Sequence, residues 1–131
     1  MSDFSKFLKL AEYKDGNWHD YTTGKYRAQS RCVYAIRFGD NSVYIGSTKE
    51  LRKRIHYHYT GMVNGYHSLP LLADAFARTK SFEIFLLARC AKGAGLLEAM
   101  FISLLQPSLN KDAACSEMTN FEDYIFDYKK I

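Results

Sequence analysis

"VYAIRFGDNSVYIGST" (residues 33–48) holds two short apolar runs, each with a tyrosine, on either side of a polar turn. β-branched and aromatic residues dominate both runs, which predicts strands over 33–38 and 42–47. The closure of the turn decides the register, and the register decides where the tyrosines point. A two- or four-residue loop would send Tyr34 and Tyr44 to opposite faces of the hairpin. A three-residue loop, Gly39-Asp40-Asn41, uses asparagine's tolerance of the left-handed conformation and pairs Phe38 with Ser42. Tyr34 then lies opposite Gly46 and Tyr44 opposite Ile36, with both phenols on one face as diagonal neighbours ~7 to 8 Å apart. Val33, Ala35, Val43 and Ile45 fill the other face. That set makes a good core, which favours the three-residue loop.

Downstream, Ser47-Thr48-Lys49-Glu50 has the form of a capping box and predicts a helix over 49–59. Leu51, Ile55 and Tyr59 form its apolar stripe, and Arg54 and His58, four residues apart, share one flank. A glycine-containing loop over 60–67 leads to Ser68, the expected N-cap of a helix with Pro70 in its first turn and Leu69, Leu72, Ala73 and Phe76 inward. Residues 81–90 read as a strand and 94–105 as a helix, ended before Pro107. Upstream, Phe4, Phe7, Leu8 and Ala11 lie at helical spacing, followed by a turn-rich stretch. Near the other end, Thr119 and Glu122 would cap a short helix bearing Phe121, Tyr124, Ile125 and Tyr128. It could seal the core or pair two subunits into a homo-oligomer, and sealing is the expected role.

With 131 residues, 47% of them hydrophobic, the chain suits one ordinary domain. We divide it into an N-terminal extension packed on the body (1–31), a central domain (32–110) and an acidic, aromatic tail (111–131). No run approaches the ~18 to 20 apolar residues of a membrane span, and the N-terminus is too charged for a secretory signal. A cytoplasmic location is expected. Cys32, Cys90 and Cys115 are odd in number and widely spaced, which suggests neither a disulfide framework nor a metal knuckle. The net charge of +4 is uneven: residues 111–131 carry −2 and residues 1–110 carry +6. A basic body is compatible with a polyanionic partner.

Glu98 stands in a helix that is apolar nearly all round, which implies burial and therefore a partner for its charge. Two readings stand side by side: an ion pair with an arginine such as Arg54, or a carboxylate ligand for Mg²⁺, a hard cation that keeps several waters and needs few protein oxygens. Tyrosines in a strand, or the run Lys49-Glu50-Leu51-Arg52-Lys53-Arg54, mean little singly. His56, His58 and His67 do not suggest zinc, because positions i and i+2 of a helix diverge.

The combination is more specific. Val33-Tyr34-x-Ile36, then Val43-Tyr44-Ile45-Gly46-Ser47, Arg54 and His58 on the next helix, Gly65-x-His67, a glutamate in a later helix, and Pro107-x-Leu109-Asn110 together resemble the GIY-YIG nuclease family. The likeness covers about residues 32–110, in order. The second half of the signature is complete in Tyr44-Ile45-Gly46, whereas Cys32 replaces the leading glycine of the first. The wording "VYAI" and "LRKRI" is also similar to the small phage-encoded nicking endonucleases of this family.

The resemblance implies an α+β fold, a three-stranded antiparallel sheet flanked by helices, that hydrolyses DNA phosphodiesters with one Mg²⁺ or Mn²⁺ per active site. Glu98 would hold the metal and Arg54 the scissile phosphate, while Tyr34 and Tyr44 would position and deprotonate the attacking water. His58 would join this catalytic set, with Ser47, His67 and Asn110 auxiliary to it. A phenol's pKa of ~10 must fall for that task, which metal and arginine together would achieve. Backbone phosphates would meet Lys49, Arg52 and Lys53, and in the N-terminal extension Lys25, Arg27 and Arg31. With no helix-turn-helix or zinc finger, the expected action is nicking or cutting of limited specificity. The alternative is a non-catalytic nucleic-acid or protein-binding module on the same fold, which a Tyr34 turned away by Cys32 would favour.

Overall fold

The structure, a computed structural model, describes residues 4–22, 31–89 and 94–110. Its elements run β1 (Leu8–Lys14), β2 (Asn17–Asp20), β3 (Cys32–Phe38), β4 (Val43–Thr48), α1 (Leu51–Asn64), α2 (Pro70–Thr79), β5 (Phe82–Arg89), α3 (Ala94–Leu105) and a 3₁₀ turn, Ser108–Asn110. The fold is α+β. Its strands form one antiparallel sheet in the order β2-β1-β5-β3-β4.

Five strands replace the three expected, because residues 8–20 are a hairpin rather than the helix that Phe4, Phe7, Leu8 and Ala11 suggested. A bulge explains the misreading. The pairing of β1 with β5 shifts between Lys9 and Ala11, and the extra residue, Leu10, is buried together with its neighbour Ala11. Two adjacent inward residues break the alternation by which a strand is recognised. The turn that follows was legible: Asp15 (φ 53°) and Gly16 (φ 77°) both take positive φ between paired Lys14 and Asn17, the two-residue turn that Asp-Gly favours.

The central hairpin closes as its sequence predicts. Asn41 has φ 68°, its N–H bonds the Phe38 carbonyl at 2.9 Å, and the Phe38 N–H bonds the Ser42 carbonyl at 2.9 Å. Tyr34 pairs with Gly46 and Ile36 with Tyr44. One face of the sheet, with Leu10, Tyr34, Ile36, Phe38, Phe82 and Ile84, packs with Leu51, Ile55 and Met62 of α1 and Leu72, Ala75 and Phe76 of α2. Val33, Ala35, Ile45, Phe85 and Leu87 line the other, under Phe4 and Ile102 of α3. A buried side chain of this size contributes ~1.5 to 3 kcal/mol, so three layers hold the sheet rigidly from both sides.

Helix ends differ in detail from expectation. Ser47 still belongs to β4, paired with Val33, so the capping box cannot form; Glu50 is the N-cap, without a side-chain cap. The Thr48 hydroxyl accepts the Glu50 N–H at 3.0 Å instead. α1 continues past Tyr59 through Gly61 to a left-handed Gly65 (φ 80°). Leu69, not Ser68, is the N-cap of α2, and the Ser68 hydroxyl bonds that of Tyr57. α3 spans the expected residues. No described helix is long and apolar enough to cross a membrane. The helix expected near 119–128 lies outside the described residues.

Candidate active site

The site starts from Gly46. A Cβ built there would stand 2.6 Å from the Tyr34 Oη, 2.8 Å from its Cζ and 3.0 Å from Tyr44 Cε2. The Tyr34 ring therefore lies across β4 at the one point where the strand has no side chain. The two phenol rings are 6.5 Å apart at 52°, Tyr34 2% exposed and Tyr44 half-buried. Cys32 does not disturb this: it is a regular β3 residue paired with Thr48 and Arg89, and Tyr34 is not turned away.

β4 is an edge strand, and Asn110 covers its open edge. Its side-chain oxygen accepts the Ile45 N–H at 2.7 Å and its amide donates to the Ile45 carbonyl at 2.9 Å, as a neighbouring strand would. Ile45 sits between Tyr44 and Gly46, so this bond pair steadies the platform of the site. Asn110→Ala is expected to cost about 2 kcal/mol by stranding two backbone groups. Urea denaturation checks it; an unchanged midpoint would deny the brace any structural weight.

Behind Tyr34 runs a line of buried imidazoles. Tyr34 Oη is 2.7 Å from His58 Nε2, and His58 Nδ1 is 2.8 Å from His67 Nε2. The Leu69 N–H donates to His67 Nδ1 at 3.0 Å. His67 packs closely on Gly61 of α1: a Cβ there would stand 3.1 Å from His67 Cδ2 and 3.2 Å from its Cα, so His67 would have to give by a few tenths of an ångström. Burial first, then His67 and Arg54, push the pKa of His58 down to about 3. His67 is also lowered, mainly by burial.

This depression has a signed consequence for stability. Unfolded, His58 takes a proton near 6.5; folded, it resists until about 3. Below 6.5 the unfolded chain binds the extra proton, so this contribution is complete above 6.5 and is lost as pH falls towards 3. The slope is at most ~1.4 kcal/mol per pH unit for one proton. Unfolding free energy measured from pH 7 to 5 should fall, and should fall less steeply in His58→Gln.

The phenols are held above their ordinary range. Burial raises Tyr34 well up, with Tyr44 and Glu98 adding to the rise and Arg54 opposing it. For Tyr44 burial again leads, then Glu98 raises and Arg54 lowers. Both charges thus lie within electrostatic reach of both phenols, but the protein's own groups do not bring the net lowering expected of a cation-lined site. Glu98 is half-buried rather than fully enclosed. Arg54 is exposed, its guanidinium 5.1 Å from the centre of the Tyr57 ring. It lines a cleft of about 510 Å³ with Arg31, Ser47, Thr48, Lys49, Glu50 and Gly95. Lys53 faces an adjoining cleft, Arg52 is exposed on α1, and Lys25 and Arg27 lie outside the described residues.

The structure thus brings Tyr34, Tyr44, His58 and His67 into contact, with Arg54 and Glu98 beside them. Reasoning from sequence missed Gly61, the Leu69 N–H and Tyr57. A glycine inside a helical pattern, in "YTGMVNG", was the available signal for the first. Among the described residues no group of three His, Cys, Asp or Glu could hold a metal ion. A cation here would have Glu98 and few other protein ligands. The family model described as the GIY-YIG catalytic domain matches residues 30–111. No curated protein and no solved structure matches the chain.

Proposed function

Because the chain belongs to the GIY-YIG family, whose domain is that of an endonuclease acting on DNA, we propose that it cleaves DNA phosphodiesters with a divalent metal ion, nicking or cutting with limited specificity. The observation that carries this reading is that two neighbouring phenols lie within electrostatic reach both of the Glu98 carboxylate and of Arg54, whose guanidinium lines a basic cleft.

Each residue has a part that its surroundings suit. Arg54, exposed in the cleft and backed by the Tyr57 ring, offers a planar fork that binds two phosphate oxygens at once. Arg31, Lys49 and Lys53 provide positive charge along the cleft walls, where the DNA backbone would run. Tyr34 and Tyr44 orient the attacking water, and one of them, having first lost its own proton to solvent, takes the proton of that water as a phenolate. Glu98 would hold Mg²⁺ or Mn²⁺, and with a single carboxylate the rest of the shell falls to water and substrate oxygens, which is how Mg²⁺ is usually held. When bound, such an ion polarises the phosphoryl group and stabilises the leaving oxygen. His58, neutral and buried behind Tyr34, keeps that phenol in place.

Supercoiled plasmid incubated with the protein and Mg²⁺ should relax to the open circle, and a chelator should prevent it. DNA retained in a salt-sensitive manner, but left intact with Mg²⁺ and Mn²⁺ on several sequences, would select the binding-module reading instead.

A further inference from the structure

We propose that His67 is a positioning residue which, anchored by the Leu69 N–H, fixes the tautomers of both buried imidazoles so that His58 donates a hydrogen bond to Tyr34 and takes no proton from it. The tautomers follow from the hydrogen bonds alone, whereas their catalytic consequence rests on the nuclease reading.

A neutral imidazole has one N–H and one lone pair. The Leu69 backbone can only donate, so His67 Nδ1, 3.0 Å away, carries the lone pair and the His67 proton sits on Nε2. That N–H faces His58 Nδ1 at 2.8 Å, which must then accept. The His58 proton is left on Nε2, 2.7 Å from the Tyr34 oxygen. Three bonds therefore point one way, from the backbone of residue 69 to the phenol. Reversing any of them, or adding a proton to either ring, sets two N–H groups against each other in a buried space. The low pKa of both imidazoles agrees with this.

The geometry of the segment looks built for the purpose. Gly65 makes the left-handed turn that brings the chain back along α1, and Gly61 leaves room for the His67 ring. The rings of His58 and His67 lie 5.0 Å apart and nearly parallel, at 11°. An ordinary pair of satisfied core histidines would need no such order, nor would it end on a residue of the site.

For Tyr34 the consequence is specific. Its oxygen accepts from His58, so its own proton is directed elsewhere and leaves, when it leaves, on the side away from the imidazole. No proton travels along the line, and all three N–H groups remain where they were. A phenolate formed at Tyr34 finds a donor already aimed at it, which favours that state without reorganisation. His58 is a hydrogen-bond donor to the phenol and not its base.

The test is two-bond ¹H–¹⁵N correlation of ¹³C,¹⁵N-labelled protein at neutral pH, with the His58 and His67 rings assigned by through-bond correlation to their own backbone signals. Protonated Nε2 and bare Nδ1 on both rings is the expected result. His67→Leu should release the His58 tautomer, move its titration up towards 6.5 and slow plasmid cutting about tenfold. His67→Gln, which can still present an amide N–H, should restore the tautomer and most of the rate. A wild-type His58 protonated on Nδ1 would overturn the proposal even if neither variant folds, as would a His58 indifferent to His67→Leu. Expected tautomers in a protein that cuts nothing would uphold the relay and count against the nuclease reading alone.

Discussion

Glu98→Gln is expected to slow metal-dependent plasmid cutting by on the order of a thousandfold, while leaving the fold nearly as stable as before. The loss corresponds to ~4 kcal/mol of stabilisation in the transition state, within what a bound divalent ion supplies. Stability should change by less than ~1 kcal/mol, because Glu98 is half-buried and the amide keeps its shape. A third readout needs no DNA. The Glu98 charge raises the pKa of both phenols, so the variant should show Tyr44 titrating lower than in the wild type. Cutting at the wild-type rate would remove Glu98 from the chemistry. Marked destabilisation with little loss of rate would instead restore the reading in which Glu98 serves a structural ion pair.

Gly46→Ala should damage both fold and activity, for a reason visible in a single pair of residues. The added methyl would enter within 2.6 to 2.8 Å of the outer atoms of the Tyr34 ring. That ring cannot swing aside cheaply, because it is buried and its oxygen is tied to His58. Overpacking of this kind costs ~1 to 3 kcal/mol. Displacement of the phenol by even a fraction of an ångström should slow cutting about a hundredfold. A double-mutant cycle identifies the cause. In a Tyr34→Phe background the closest clash disappears, and Gly46→Ala should be measurably less destabilising than alone. Strictly additive effects would mean that the ring does not rest on Gly46.

Much of the site was legible because it is written in local pattern. The Gly39-Asp40-Asn41 loop set the register, the register set which face each tyrosine takes, and the pairing of Tyr34 with Gly46 explains why the second tyrosine is followed by Ile-Gly. The β1–β2 hairpin was missed because its bulge hides the strand period, although Asp15-Gly16 announced the turn. The capping box failed for a different reason: a four-residue match says nothing about where the preceding strand stops, and Ser47 is still paired in it. The hydrogen bond from Leu69 to His67 left no trace in sequence, since any residue but proline has an N–H to give. Nor could sequence foresee that burial outweighs Arg54 in setting the phenols' pKa.

The position of β5 carries a kinetic meaning. It is hydrogen-bonded to β1 on one side and β3 on the other, yet Leu8 meets Leu86 across most of the chain. The β3–β4 hairpin closes through three residues and the β1–β2 hairpin through two, so both can form early, while the docking of β1 must wait until residue 82 onward has been synthesised and ordered. Closing so large a loop is the entropically expensive step. The tyrosine pair is therefore assembled on a hairpin that closes locally, and the N-terminal hairpin docks last, as a clasp that locks a platform already in place.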